Sequence, residues 1–221
     1  MASVTDAKTI IDKASLLLED SSALHWQASE LLGWLNDGQR ELATLSPSSN
    51  VKNIALQLVS GVKQSLPSDG ILLLDIPYNL GSLGTTMGFP INHVPKEIML
   101  KRIPGWTSTL PYGIVKHYIY TPQDPLVFYV YPPQPTVTKY VECVYSAIPA
   151  LIANATVGTK ITIPDVYQNA LVDYVLYRAL SKDSEYGNQD AKAVAHYQAF
   201  TQAIGFNKTT TPTPPQPQQA K

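Results

Sequence analysis

The chain of 221 residues is long enough to bury a core, and its length favours one domain or one domain with an insertion. Hydrophobic residues make up 44% of it and charged residues only 15%, which predicts a surface partly covered by other chains. The formal net charge of −1 gives no electrostatic basis for tight binding to nucleic acid or to an anionic membrane. No apolar run approaches the roughly 18 residues of a membrane span. The single cysteine, Cys143, excludes an internal disulfide.

Two amphipathic helices are predicted in residues 1–50. The first covers about four turns, and its apolar face consists of Val4, Ala7, Ile10, Ile11, Ala14, Leu17 and Leu18. The second begins between Ser22 and Gln27, and Pro47 ends it. Its apolar stripe consists of Ala28, Leu31, Leu35, Gly38, Leu42 and Leu45, widened by Trp34.

In residues 51–160 the helical periodicity gives way to short apolar runs separated by turn residues, and these residues are predicted to form an antiparallel β-rich module. The predicted strands are 54–59, 114–120, 126–131 and 137–146, and proline-rich junctions at 121–125 and 132–135 are expected to separate the last three. Residues 71–76 fit either a strand or a buried helical turn. The glycine-rich stretch Tyr78–Pro90 is interpreted as a long loop, and Pro95–Arg102 as a short helix.

Residues 161–206 are predicted to form two antiparallel helices. Pro164 suits the first position of the first helix, and the carboxylate of Asp165 suits the positive end of the helix dipole. The polar run Ser181–Asp190 is the predicted turn. Gly205 stands where a helix cap is expected.

The segment 207–221 is rich in proline, threonine and glutamine, a composition that favours polyproline II over a packed fold. It is predicted to be an extended arm that binds a neighbouring protein, with a solvated tail as the alternative. Its candidate interface residues are Pro212, Pro214, Pro215 and Pro217. Trp106 is a further candidate partner anchor, although a core tryptophan fits equally well.

The sequence offers no catalytic constellation. Acidic residues are scattered without a pair that one helix face would bring together in a cleft, and the four histidines lack metal-ligand spacing. Cys143 and His117 lie on predicted strands that could share one sheet, but no third group joins them. We therefore predict no enzyme activity, no cofactor and no metal.

The order of several short motifs resembles the head–tail adaptor proteins of tailed bacteriophages, especially the short-tailed type. The motifs are Trp26–Glu41, Gln64–Asp75, Pro104–Trp106, His117–Tyr120, Asp124–Pro125, Phe128–Pro133, Ile163–Asp165 and Gly205. The likeness covers about residues 1–206. It implies a helical bundle with an inserted β module, assembled as a twelve-fold ring between portal and tail.

Together, these observations predict an α+β fold with four parts. A four-helix bundle combines the two N-terminal helices (1–50) with a C-terminal helical hairpin (161–206). The β-rich module (51–160) is inserted between them, and the extended arm (207–221) follows.

The predicted function is a structural virion protein at the head–tail interface, assembled in the host cytoplasm. The resemblance implies as partners further copies of the chain, the portal protein and a tail or nozzle protein. The arm 207–221 is expected to bind the portal or an adjacent copy. It also implies only transient contact with the DNA passing through the ring, and no membrane contact. The alternative is a tail-associated hydrolase or carbohydrate-binding component that uses the β module.

Overall fold

The computed structural model describes residues 4–182 and 189–209, with side chains as far as Gly205. The chain divides into two compact units. Unit 1 consists of Met1–Ser46 and Pro149–Lys221, and unit 2 consists of Pro47–Ile148.

The described residues contain five α-helices and nine strands. The helices are α1 (Ala7–Leu17), α2 (Ala28–Leu45), α3 (Lys96–Arg102), α4 (Gln168–Lys182) and α5 (Gln189–Thr209). The strands are β1 (Val51–Leu58), β2 (Gly61–Ser65), β3 (Gly70–Asp75), β4 (Tyr78–Leu80), β5 (Met87–Pro90), β6 (Asn92–His93), β7 (His117–Tyr120), β8 (Val127–Gln134) and β9 (Lys139–Ala147).

Helix α4 is the centre of unit 1, because it packs against α1, α2 and α5. Buried side chains cover most of its circumference, which matches its nearly continuous apolar sequence. Phe200 and Ile204 of α5 join the apolar faces of α1 and α2 in the same core. Gly38 lets α2 approach α4 closely, since a Cβ at this position would lie 2.8 Å from Cδ1 of Tyr174.

The segment before α4 contributes to this core although it has little regular structure. Ile152, Ile161 and Ile163 are buried among the helices. Pro164 precedes a 3₁₀ turn, Asp165–Tyr167, rather than opening α4 as predicted. The carboxylate of Asp165 accepts hydrogen bonds from the backbone N–H groups of residues 4 and 5, so it fixes the start of the chain against this turn.

The strands of unit 2 form two sheets. The first has the order β1-β9-β4-β5, with β3 also paired to β9, and the second has the order β2-β8-β7-β6. The pairings are antiparallel except for the parallel pair of β6 and β7. One core cluster draws on both sheets, including Phe128 and Val130 of β8 with Val141, Cys143 and Tyr145 of β9. Tyr129 and Tyr131, which alternate with these residues along β8, pack against a second cluster of Met99, Trp106 and Ile119.

The predicted four-helix bundle with one inserted β module was wrong, although the mixed α and β character agrees with the structure. The described residues hold five helices, one of them within unit 2, and two sheets instead of a single antiparallel module. In unit 1, α1, α2 and α4 pack against one another. Helix α5 packs mainly against α4. Periodicity correctly marks apolar faces, but it does not determine which faces meet.

Three local predictions also require correction. Gly205 does not end the last helix, because α5 continues to Thr209 and enters the segment predicted as an extended arm. The predicted loop Tyr78–Pro90 contains β4 and β5, which pair as a hairpin. The prolines at 132 and 133 do not end β8, which continues through a cis Tyr131–Pro132 bond to Gln134. Most of the predicted turn Ser181–Asp190 lies outside the described residues.

Replacing Leu171 by alanine is expected to lower the free energy of unfolding by about 2–5 kcal/mol, since this fully buried side chain lies on the central helix. The control is Val166→Ala, an exposed position in the adjacent 3₁₀ turn, where the change should stay within about 0.5 kcal/mol. Urea denaturation followed by far-UV circular dichroism measures both. Equal stability of Leu171→Ala and the wild-type protein would contradict the central role of α4.

Candidate interaction surfaces

Trp106 lies inside unit 2, where 5% of its surface is exposed. It packs with Met99 and Ile119 and meets the ring of Tyr129 edge-on, with a centroid distance of 6.2 Å. The interface role of Trp106 stays a prediction. The other candidate interface residues, Pro212, Pro214, Pro215 and Pro217, lie outside the described residues.

Cys143 and His117 do not share a sheet, contrary to the possibility that the sequence left open. Cys143 lies on β9 of the first sheet and His117 on β7 of the second. Cys143 is fully buried, and this burial raises the pKa of its thiol to about 12. Such a thiol behaves as a small apolar core group. Within the described ranges no cluster of three or more His, Cys, Asp or Glu side chains could hold a metal ion.

Two carboxylates do share a groove, which the sequence analysis missed. Asp37 and Glu41 are four residues apart on α2 and line a groove of about 510 Å³ together with Arg40 and Arg178. Asp37 Oδ1 lies 3.6 Å from Arg40 Nη1, and Glu41 Oε1 accepts a hydrogen bond of 3.2 Å from the hydroxyl of Tyr197. Arg40 and Tyr197 thus each pair with one of these two carboxylates.

The hairpin of β4 and β5 presents large apolar side chains to solvent. The exposed fractions are 84% for Leu83 at the tip, and 63% and 66% for Met87 and Phe89 on β5. Strand β5 is an edge of the first sheet and carries no charged residue. Natural edge strands are usually protected by charged residues, by proline or by a covering element. Of the two kinds of residue, β5 has only Pro90, at its end. The hairpin is therefore a candidate contact surface for another protein.

Beside this hairpin lies a groove of about 410 Å³ at the edges of both sheets, which we call the aromatic groove. Its lining residues are Phe89, Pro90, Asn92, Tyr112, Ile114, Val115, Lys116 and His117. The ring of His117 stacks on Tyr131, with an angle of 9° between the planes. Burial, with Lys116 and Arg102 nearby, lowers the pKa of His117, so that its neutral form predominates at neutral pH.

The walls of the aromatic groove are fixed by hydrogen bonds within unit 2. The buried side chain of Asn79 donates to the carbonyl of Val115 at 2.7 Å and accepts from its N–H at 2.8 Å. The same amide group donates to the carbonyl of Phe89 at 3.0 Å. The N–H of Tyr112 donates to the carbonyl of Pro133 at 2.9 Å. The groove is thus formed before any partner arrives.

In unit 1, the loop between α1 and α2 holds one exposed leucine in a fixed position. The carboxylate of Asp20 accepts hydrogen bonds from the N–H groups of Leu24, His25 and Trp26. These hydrogen bonds hold the pKa of Asp20 below its usual value, and the bond from the N–H of Trp26 has the largest effect. Ala23 has a φ of 52°, a conformation that costs a non-glycine residue energy and often marks functional loops.

The comparison with protein families identifies the family to which this chain belongs. The family model described as SU10 adaptor protein matches residues 5–217. The chain belongs to this family. The adaptor is thus a bacteriophage protein with a structural role, which indicates a component of the virion. No curated protein matches it.

The earlier prediction of a phage adaptor is confirmed at this level. An adaptor contacts other virion proteins, and its exposed apolar side chains are candidates for those contacts. In the part of the adaptor that the structure describes, no helix is both long and apolar enough to span a bilayer. The sequence does not predict the hairpin or the aromatic groove. No pattern within β5 or within residues 112–117 indicates that these two segments lie side by side.

The thiol of Cys143 is expected to resist a disulfide reagent at mildly alkaline pH until the adaptor unfolds. Burial denies the reagent access and keeps the thiol protonated. Ellman's reagent, with and without guanidinium chloride, measures this. Val137→Cys, at an exposed position in unit 2, is the control and should react at once without denaturant. Rapid reaction of Cys143 in the native wild-type adaptor would show that the β9 core opens readily.

Asn79→Ala is expected to destabilise unit 2 by more than about 2 kcal/mol, because it leaves buried backbone groups of Val115 unpaired. Asn53→Ala is the matched control: its exposed side chain bonds only to Glu142, so the loss should stay below about 1 kcal/mol. Urea denaturation monitored by Cys143 labelling measures both variants. Equal effects would show that Val115 finds other partners.

Proposed function

We propose that the adaptor forms a closed homo-oligomeric ring, of twelve copies, between the portal and the tail. The ring surrounds the passage through which DNA moves, and the adaptor contacts that DNA only transiently. The portal and a tail or nozzle protein are its heterologous partners, and the head–tail interface of the virion is its location. Membership of the adaptor family and the resemblance to head–tail adaptors support this proposal.

The observation that carries the proposal is the exposed apolar hairpin of β4 and β5. Leu83, Met87 and Phe89 expose most of their surface in the isolated chain. Contiguous exposed apolar surface is typical of a protein–protein contact. The exposed side chains Leu16 and Leu17, which line a separate groove in unit 1, provide a second surface. Two different surfaces per copy are what a heterologous contact needs, and such contacts form a ring when the rotation between successive copies closes.

Low charge fits the same function. The chain has 16 basic and 17 acidic residues, so it has no excess of lysine and arginine with which to grip phosphates. A near-neutral passage lets DNA slide, because each phosphate contact by a basic side chain strengthens binding.

The purified adaptor is expected to be monomeric, and to form rings when its portal is added. Native mass spectrometry of the adaptor, with and without portal, measures this directly. Leu83→Ser and Met87→Ser should reduce ring formation on the portal without lowering the melting temperature, because both side chains are exposed.

The control for this experiment is Val137→Ser, which makes the same kind of change at an exposed apolar position outside the hairpin. The fraction of this variant that forms rings on the portal should equal that of the wild-type adaptor. A stable dimer that forms without portal would overturn the ring and favour a two-fold assembly.

A further inference from the structure

The aromatic groove has the form of a site for an extended proline-rich peptide. Phe89 and Tyr112 line it with 66% and 53% of their surfaces exposed, and Val115, also in the lining, is buried. Peptides in the polyproline II conformation bind grooves lined by aromatic side chains, because their prolines pack against the ring faces. Asn92, Tyr112 and Lys116 can donate hydrogen bonds, and the backbone carbonyls of such a peptide are free to accept them.

The chain itself contains a matching ligand. The segment Thr210–Lys221 has the sequence TTPTPPQPQQAK, in which Pro212 and Pro215 are three residues apart, as are Pro214 and Pro217. Polyproline II has three residues per turn, so each pair would lie on one edge of the peptide. The segment contains no acidic residue, and its one basic residue is Lys221. Its recognition would therefore depend on shape and apolar contact rather than on charge.

We propose that the aromatic groove of one copy binds the segment Thr210–Lys221 of a second copy. In the polyproline II conformation, the 12 residues from 210 to 221 would span about 37 Å at 3.1 Å per residue. A segment of this length can reach a neighbouring copy when the copies are assembled side by side. Binding in this way covers Phe89, an exposed apolar residue that a separate copy leaves in water.

The energetics suit a weak contact that is used many times. The hydrogen bonds of Asn79 and Tyr112 hold the groove walls in place, so binding requires little ordering of the receptor. Prolines restrict the free peptide and reduce the entropy that it loses on binding. In an assembly, neighbouring copies hold the segment near its groove, and this effective concentration makes a weak contact sufficient. The inference does not depend on the proposed position between portal and tail.

The first test uses a fluorescent peptide of residues 210–221 and the full adaptor in which the four prolines 212, 214, 215 and 217 are alanine, which leaves the groove free. Fluorescence anisotropy should show saturable binding. Phe89→Ser or Tyr112→Ser in this protein should weaken binding about tenfold or more. Leu83→Ser, an exposed change on the same hairpin but outside the groove lining, is the matched control and should leave affinity unchanged.

A peptide with the four prolines replaced by alanine should not bind, and this comparison needs no change in the protein. Absence of saturable binding by the proline peptide would overturn the proposal, as would equal affinity for the alanine peptide. Equal loss on Leu83→Ser and Phe89→Ser would also overturn it, because the hairpin and not the groove would then be the receptor.

The second test asks whether the segment comes from another copy. A chain with Phe89→Ser and Tyr112→Ser keeps its segment but loses its groove, and the four-proline variant keeps its groove but loses its segment. Neither variant should associate with further copies of itself. The labelled variant without a groove should bind the variant without prolines at high concentration. Lack of binding in this mixture, with peptide binding intact, would show that the segment binds its own chain and would overturn the second-copy inference. Neither test contains portal, so failure of the ring proposal leaves both results unchanged.

Discussion

Buried carboxamide side chains that replace a missing backbone partner are the interaction on which both units depend. In each case one Asn or Gln side chain donates to the carbonyl and accepts from the N–H of the same residue, as a neighbouring strand would. The pairs are Asn36 with Ile152, Asn79 with Val115, and Gln64 with Val59. A buried backbone group without a partner costs about 1–3 kcal/mol. Asn36 and Asn79 therefore allow irregular segments to lie inside the protein, whereas Gln64 holds the exposed turn at Val59 between β1 and β2.

The segment from Pro149 to Pro164 is an irregular segment held in place by such carboxamide hydrogen bonds. It has almost no regular structure, and a loop of this length within a compact unit is uncommon. Asn36 bonds both backbone groups of Ile152, and Gln39 accepts from the N–H of Thr162, so the segment is fixed to α2 at two points. Its isoleucines can then enter the helical core. The helices of unit 1 pack around this segment as well as around one another.

The sequence predicts the elements better than their arrangement. Periodicity located α2 and α4, and aromatic and β-branched residues located β7, β8 and β9, because these signals are local. The hairpin was missed because glycines at 81, 84 and 88 mask a strand signal that depends on pairing with β9. The partner of Asn36 lies 116 residues away and that of Asn79 lies 36 away, so no local pattern reveals either bond. The aromatic groove depends on one of these bonds and was therefore not predictable.

The same constraint connects the groove to the behaviour expected of an adaptor. Asn79 bonds to the backbone carbonyls of Phe89 and Val115, so two residues of the groove lining are held in position by the same side chain. A binding site that is already ordered loses little conformational entropy when the ligand binds. Next to it, β5 ends in Pro90, which has no N–H to donate, so the edge is a poor template for uncontrolled strand addition. Met87 and Phe89 thus present exposed apolar side chains on an edge that favours side-chain contact over open-ended sheet growth.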